Sequence, residues 1–330
     1  MNFALFFIPF SLSLLFTPFS IKLAKTWHVM DTPSQVKIQK EPTPRMGGIA
    51  IFLGAFLTCL FYILNSYITA QLAAALAGSV IIFSIGLIDD LFDIKPLLKL
   101  SGQFLAALIP LTFGFIIDIP TLGWATVLLT LFIIIGSSNA LNLIDGLDGL
   151  ASGVSVLAAS FFFYISFVHN ATIAIALSLI VIGSALGFLK YNIHKAKTFM
   201  GDSGSLFLGY LLAILAIICI NEHQNKLSSF IGVILILGLL IFDTSLSITR
   251  RYMQKKPLFN ADLDHFYNQL MIKYHLSHKN TVIICWIFCF LFGILGIISY
   301  FANALISIVI LFFTIGVCII CTFKLRFLKE

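Results

Sequence analysis

The sequence is a succession of apolar segments, each close to 20 residues long, joined by short polar connections. They lie near 3–21, 47–66, 70–88, 103–117, 122–141, 152–168, 171–189, 205–220, 228–248, 281–301 and 303–323. About 20 apolar residues is what a helix needs to cross the hydrocarbon of a bilayer, and lipid tolerates neither open strands nor unpaired backbone groups. The chain is therefore expected to be an all-α, polytopic integral membrane protein with about eleven spans. Ten would follow if one of the short breaks at 168–171 and 301–303 were bridged, or if the brief segment 205–220 did not cross. Only 10% of residues are charged, against roughly a quarter in soluble domains. No separate soluble core has room to form, so residues 1–330 read as one membrane-embedded domain. The first segment has no basic residue before it and no small-residue cleavage site, and is expected to be a retained span.

Charge sets the orientation. If the loops alternate from an external N-terminus, one side carries 19 of the 20 Lys and Arg residues, and only Lys226 lies on the other. By the positive-inside rule that side is cytoplasmic, as is the C-terminus. The net charge of +6 then needs no nucleic-acid partner. It follows from topology and from anionic lipid or phosphate ligands. Most Asp and Glu residues lie in the same loops or at the adjoining helix ends, so the candidate chemistry faces one compartment. The six cysteines fall in apolar segments, where a thiol lacks the electropositive setting that redox or metal roles need.

Four polar constellations interrupt the apolar pattern. In "GLIDDLFDIKPLLKL" (86–100), Asp89, Asp90 and Asp93 can share one side of a helix end. Such close like charges require a neutralising cation, and Lys95 and Lys99 follow within two turns. In "SSNALNLIDGLDGLASG" (137–153), Asn139, Asn142, Asp145 and Asp148 recur every three residues and would form a polar stripe in helical conformation. Such groups face a protein interior or a wet cavity rather than lipid. In "KTFMGDSGSLFLGYL" (197–211), Gly201, Ser203 and Gly204 precede an apolar helix. Free N–H groups there favour an anion, and Asp202 can hold a metal bound to it. Read alone, a Ser or Asp N-cap explains that stretch equally well. The loop "TRRYMQKKPLFNADLDHFYNQL" (249–270) brings basic residues, then Asp262, Asp264 and His265. An acidic, metal-binding centre ringed by cations fits phosphoryl transfer, in which the protein chiefly positions reactants and neutralises charge.

Taken in order, "DTPSQVKIQKEPTPRMGG" (31–48), "GLIDDLFD", "SNALNLIDGLDGLASG", "FMGDSGSLFLG" and "PLFNAD" (257–262) resemble the polyprenyl-phosphate N-acetylhexosamine-1-phosphate transferases. That family includes phospho-N-acetylmuramoyl-pentapeptide transferase, and the likeness covers roughly 30 to 270. The resemblance implies a magnesium-dependent reaction, with manganese as a substitute, in which a polyprenyl phosphate such as undecaprenyl phosphate attacks the β-phosphorus of a UDP-N-acetylamino sugar and releases UMP. It implies catalytic roles for Asp89, Asp90 and Asp145, one of the adjacent pair accepting the acceptor's proton. Asp202 and Asn142 are the implied metal ligands. Lys99, Asn139, Asp148 and Gly201 are the implied nucleotide and phosphate contacts, and His265, Asp262, Arg45 and Lys40 the candidates for contacts to the sugar or from the loops. Related proteins are often dimers, which leaves a homodimer open.

The chain also departs from the family's pattern. Where N-acetylglucosamine-phosphate transferases tend to read Ala-Asp-Arg-x-His-x-His-His, it reads "ADLDHFYN", so Leu263, Tyr267 and Asn268 stand in place of an arginine and two histidines. Gln39 stands where many members have a histidine. The His-His-His run of the peptidoglycan enzyme is absent, which favours O-antigen, teichoic-acid or related glycan initiation at the inner membrane. A secondary transporter would place its acidic residues near the midplane and show an inverted repeat. A CDP-alcohol phosphotransferase would need Asp-Gly-x-x-Ala-Arg, whereas Asp145-Gly146 is followed by Leu147 and Asp148.

Overall fold

The computed structural model of the chain describes residues 2–32, 41–65, 70–255, 265–325 and 327. In chain order its helices are α1 (Asn2–Thr26), α2 (Gly48–Asn65), α3 (Ala70–Phe92), α4 (Pro96–Thr112), α5 (Ala125–Ile144), α6 (Leu150–Val168) and α7 (Thr172–Asn192). They continue with α8 (Gly201–Glu222), α9 (Lys226–Ile236), α10 (Gly238–Met253), α11 (Phe266–Tyr274), α12 (His278–Phe301) and α13 (Ala304–Lys324). Strand among the described residues is limited to one antiparallel pair, β1 (Met30–Asp31) and β2 (Thr43–Pro44), with Met30 opposite Pro44. Eight helices are long and apolar enough to cross a membrane, α9 and α10 together make a ninth if taken as one span, and α2 and α4 are shorter apolar helices. Each of the eleven expected segments coincides with one of these, and the protein is a multi-pass, all-α membrane protein.

Three boundaries differ from the sequence expectation, each for a local reason. The segment 228–248 is broken, because the chain turns by 71° between α9 and α10, where Leu237 leaves helical geometry just before Gly238; glycine is a common site of such kinks. Helix α4 begins at Pro96, well before residue 103. Proline suits a first helical position, where the missing N–H would be unpaired anyway. The brief segment 205–220 is in fact the 22-residue α8, because Gly201-Asp202-Ser203-Gly204 forms its first turn instead of a loop before it.

Helix α8 is the axis of the bundle. It is apolar all round, and such a helix is stable only when enclosed. It packs against α2, α3, α5, α6, α7 and α9 and is buried along nearly its whole length. By contrast α13 exposes Leu305, Phe312 and Phe323, a surface that suits lipid and would be a liability in water. The close approach of α3 to α8 depends on Gly86, where an added Cβ would lie 2.5 Å from the Asp202 carbonyl oxygen and 2.6 Å from Ser203 Cα. Gly86→Val should therefore wedge the two helices apart and cost about 1–3 kcal/mol, the range for overpacking a well-filled core. Gly136, in α5, has nothing within 4 Å of such a Cβ, so Gly136→Ala should leave stability unchanged or raised by about 0.5–1 kcal/mol. Thermal unfolding of both variants in detergent checks the pair.

Candidate active site

The site begins where α3 ends. Asp89 Oδ1 accepts the Ile94 N–H at 3.0 Å, which closes a turn through Asp93 in left-handed geometry (φ 45°). Asp93 is thereby carried outside the helix and exposed, so it does not complete the three-carboxylate face that helical spacing suggests. The same turn starts α4 and points Lys99 back at α3. Lys99 Nζ donates to Asp89 Oδ2 at 2.9 Å and also contacts Asp202.

Asp90 is held differently. Its carboxylate accepts hydrogen bonds from the Asp202 N–H (2.8 Å), the Ser203 N–H (3.0 Å) and the Ser203 hydroxyl (2.7 Å), and Arg45 Nε lies 3.2 Å from Oδ1. The anion seated on the first N–H groups of α8 is therefore Asp90, a side chain of the protein, where the sequence pattern suggested a ligand. Gly201 makes room for it. With φ at 69° and an added Cβ only 2.6 Å from Asp90 Oδ2, this position excludes any side chain. Arg45 also contacts Asp202. Burial works to lower the Arg45 pKa, but the Asp202 and Asp90 charges outweigh it and raise the value above the ordinary one. Backbone bonds carry Arg45 to this place: Gly47 N donates to Phe199 O, Gly48 N to Met200 O and Phe199 N to Pro44 O, at 2.8–2.9 Å.

The 137–153 stretch supplies the opposite wall. The helix stops at Ile144 with Asp145 as its C-cap, so the expected stripe does not run on to Asp148. Asn142 Nδ2 donates to Ser205 Oγ at 2.9 Å, placing Asn142 beside the first turn of α8. Asn139 is engaged elsewhere, exchanging bonds with Gln103 across α4 and α5 at 2.6 and 3.1 Å. Burial first, and the Asp202 charge next, push the Asp145 pKa well above the carboxylate range. Asp148 sits in the turn after it and accepts the Ala196 N–H at 3.1 Å.

His265 is drawn away from the carboxylates and into the protein. Its Nδ1 lies 2.8 Å from Asp243 Oδ2, while the Phe266 N–H donates to Asp243 Oδ1 at 2.7 Å. Asp243 therefore pins the start of α11. The Tyr267 ring stacks on His265 with centroids 5.5 Å apart, and its hydroxyl closes on Gly146. Asp262 and Lys40 lie outside the described residues. Sequence reading missed Gln103, Ser205 and Asn192. Buried Asn192 accepts from Gly149 N and Ser152 Oγ and donates to Thr198 O, all at 3.0 Å, tying the Asp145 turn to the Asp202 segment. Ser205 stands in the same 197–211 stretch as Ser203, so its polarity was a usable signal. Gln103 and Asn192 gave none, being single amides in apolar helices.

The sequence model described as glycosyl transferase family 4 matches residues 72–220. A probable undecaprenyl-phosphate N-acetylglucosaminyl 1-phosphate transferase of Bacillus subtilis is 37% identical over 92% of this chain and 86% of its own length. The chain belongs to glycosyl transferase family 4. Within that family it is also similar to a decaprenyl-phosphate N-acetylglucosaminephosphotransferase of Mycobacterium tuberculosis (34% identity over 77% of this chain and 72% of the relative). A phospho-N-acetylmuramoyl-pentapeptide-transferase of Bacillus thuringiensis is 32% identical over 88% and 94%.

For a family 4 member the charge balance is informative. Among the described residues, the carboxylates of Asp89, Asp90, Asp145 and Asp202 face the cations Arg45 and Lys99, which leaves a formal charge of two negative when all four carboxyl groups are ionised. The uncompensated donors are all oxygens, as a hard divalent ion requires, so the residues present fit a magnesium ion. Gly201→Ala should displace Asp90 by steric contact and add about 1–2 kcal/mol of left-handed backbone strain. Transfer activity is expected to fall at least about tenfold, the equivalent of 1.4 kcal/mol, with the helical content by circular dichroism unchanged.

Proposed function

We propose that the protein transfers an N-acetylhexosamine 1-phosphate, N-acetylglucosamine 1-phosphate or a derivative foremost, from a UDP-sugar to undecaprenyl phosphate and releases UMP. The reading places it at the first membrane step of surface-glycan synthesis, with the site on the cytoplasmic face. One observation carries it: a cluster of four carboxyl groups that Arg45 and Lys99, the cations beside it among the described residues, balance only in part, at the end of an apolar helical bundle. That is where a membrane-borne phosphate can meet a soluble diphosphate. The names of the Bacillus subtilis and Mycobacterium tuberculosis relatives support the acceptor and the sugar phosphate. Tyr267 and Asn268 weigh against the peptidoglycan reading suggested by the Bacillus thuringiensis relative.

In the proposed reaction an acceptor phosphate oxygen bonds to the β-phosphorus of the donor, and the bond from that phosphorus to the bridging oxygen breaks, so that UMP leaves with the bridging electrons. Asp90 has no freedom to act as a base, because its oxygens are taken by α8 and Arg45. It positions Asp202. Asp89, whose side chain is 13% exposed, is the carboxylate left facing the acceptor and takes its proton when the phosphate arrives protonated. Lys99 bridges Asp89 and Asp202 and turns to the donor phosphates once they enter. Magnesium, held by Asp202 and Asn142 with Asp145 beside them, would neutralise the diphosphate and stabilise the departing UMP. An apolar groove of about 560 Å³ runs along α10 and α13 and offers the prenyl chain a place to lie.

Purified protein in detergent should release UMP only when undecaprenyl phosphate, UDP-N-acetylglucosamine and magnesium are all present. Asp89→Asn and Asp202→Asn should lower that rate by about 10²–10⁴, the span for removing a positioned acid–base group, with melting temperatures near wild type. Release that needs no lipid, or that survives Asp202→Asn, would overturn the assignment. Because the Asp145 pKa is raised, a proton must leave before the ion is bound. Apparent magnesium affinity should therefore strengthen as pH rises toward that pKa, and Asp145→Asn should flatten the dependence. Magnesium titrations of turnover across a series of pH values, repeated with Asp145→Asn, measure it.

A further inference from the structure

Beside the Asp145 turn, three side chains from three separate elements converge. Asp148 comes from the turn before α6, His194 from the connection after α7, and His278 from the first residue of α12. Asp148 Oδ2 lies 3.9 Å from His194 Nδ1 and 3.7 Å from His278 Nδ1. One donor atom from each residue falls within 4.8 Å of the others, and the two imidazoles meet edge to face with centroids 5.2 Å apart. Ligands at about 2.0–2.2 Å from a tetrahedral ion stand roughly 3.4 Å from each other, so these atoms are already near the spacing of a shared centre. We propose that Asp148, His194 and His278 form a binding site for a borderline transition-metal ion of the zinc class, and that filling it inhibits sugar-phosphate transfer.

The donor chemistry separates this site from the carboxylate centre. Two imidazoles and one carboxylate suit zinc, cobalt or nickel, whereas magnesium prefers oxygen alone and retains its waters. The His194 side chain is 48% exposed, so an ion can enter from solvent. The proton balance explains the inhibition. His278 Nε2 accepts the Asp148 backbone N–H at 3.0 Å, so the ring's own proton sits on Nδ1, toward the carboxylate. For Nδ1 to bind an ion that proton must move to Nε2, and the Asp148 N–H loses its acceptor. Metal binding and the Asp148 N–H bond to His278 therefore exclude one another. Asp148 adjoins Asp145, and a shifted turn spoils the site proposed above. The inhibitory half of the proposal rests on that functional reading; the binding half does not.

Cobalt(II), whose tetrahedral complexes absorb strongly in the visible, is the probe for binding. Titrated into the full chain in detergent with excess magnesium, it should give one equivalent of tetrahedral absorption. His194→Ala and His278→Gln should each weaken binding by more than the about 10–100-fold that loss of an outer-shell partner costs. In the UMP-release assay, zinc should inhibit wild type and be reversed by a zinc-selective chelator, while His194→Ala keeps the wild-type rate and is at least about tenfold less sensitive. A band unchanged in both variants, a weak octahedral spectrum only, or equal zinc inhibition of wild type and His194→Ala would overturn the proposal. Absence of UMP release without zinc would instead count against the transferase reading and leave the cobalt result to decide the site.

Discussion

A carboxylate with no solvent access at the end of an apolar helix would cost several kcal/mol if left unpaired. Asp90 is that group, and three donors from the first turn of α8 together with Arg45 satisfy it. The positive end of the helix dipole favours the same charge. Because the bonds come from α8, the Arg45 segment and α3 at once, they lock three distant parts of the chain to a common point. Asp202 emerges from that junction beside Lys99 and Asp89. The neighbouring carboxylate is thus less a reactant than the post on which the reacting groups hang.

The bilayer makes such a device necessary. Helices that gain nothing from water exclusion associate through close backbone approach and polar contacts, and here both occur at the same end of the bundle. Gly86 lets α3 touch α8, Asn142 joins α5 to Ser205, and Asn192 joins the Asp145 turn to Thr198. Each contact is modest alone. Together they gather groups from residues 45 to 278 at one end of the bundle.

Charge economy ties site and proposed chemistry together. Arg45 and Lys99 compensate part of the carboxylate cluster, and burial drives Asp145 toward its neutral form. In the proposed reaction such a cluster can take up a divalent ion and a diphosphate without the cost of holding four bare anions. The imidazole pair at Asp148 has other chemistry, and its nearness to Asp145 lets a softer ion act on the same turn.

Segment lengths near 20 residues and a one-sided distribution of basic residues were enough to determine an all-α membrane bundle, because lipid permits few other solutions. The acidic motifs pointed to a shared acidic centre, because close carboxylates beside apolar spans demand a cation, and the family resemblance singled out Asp89, Asp90, Asp145 and Asp202 within it. What each does was decided only in three dimensions. Nothing local distinguishes Asp89 from Asp90; the arrival of α8 and of Arg45, 157 residues away from Asp202, turns one into a fully buried anchor and leaves the other, bound by Ile94 N and Lys99, partly exposed. Asn139 and His265 looked equally available, yet Gln103 and Asp243 claim them, since buried polar groups take whatever partner packing supplies. The bend at Leu237 and the meeting of Asp148 with two histidines belong to the same class, set by long-range contacts that periodicity and spacing do not encode.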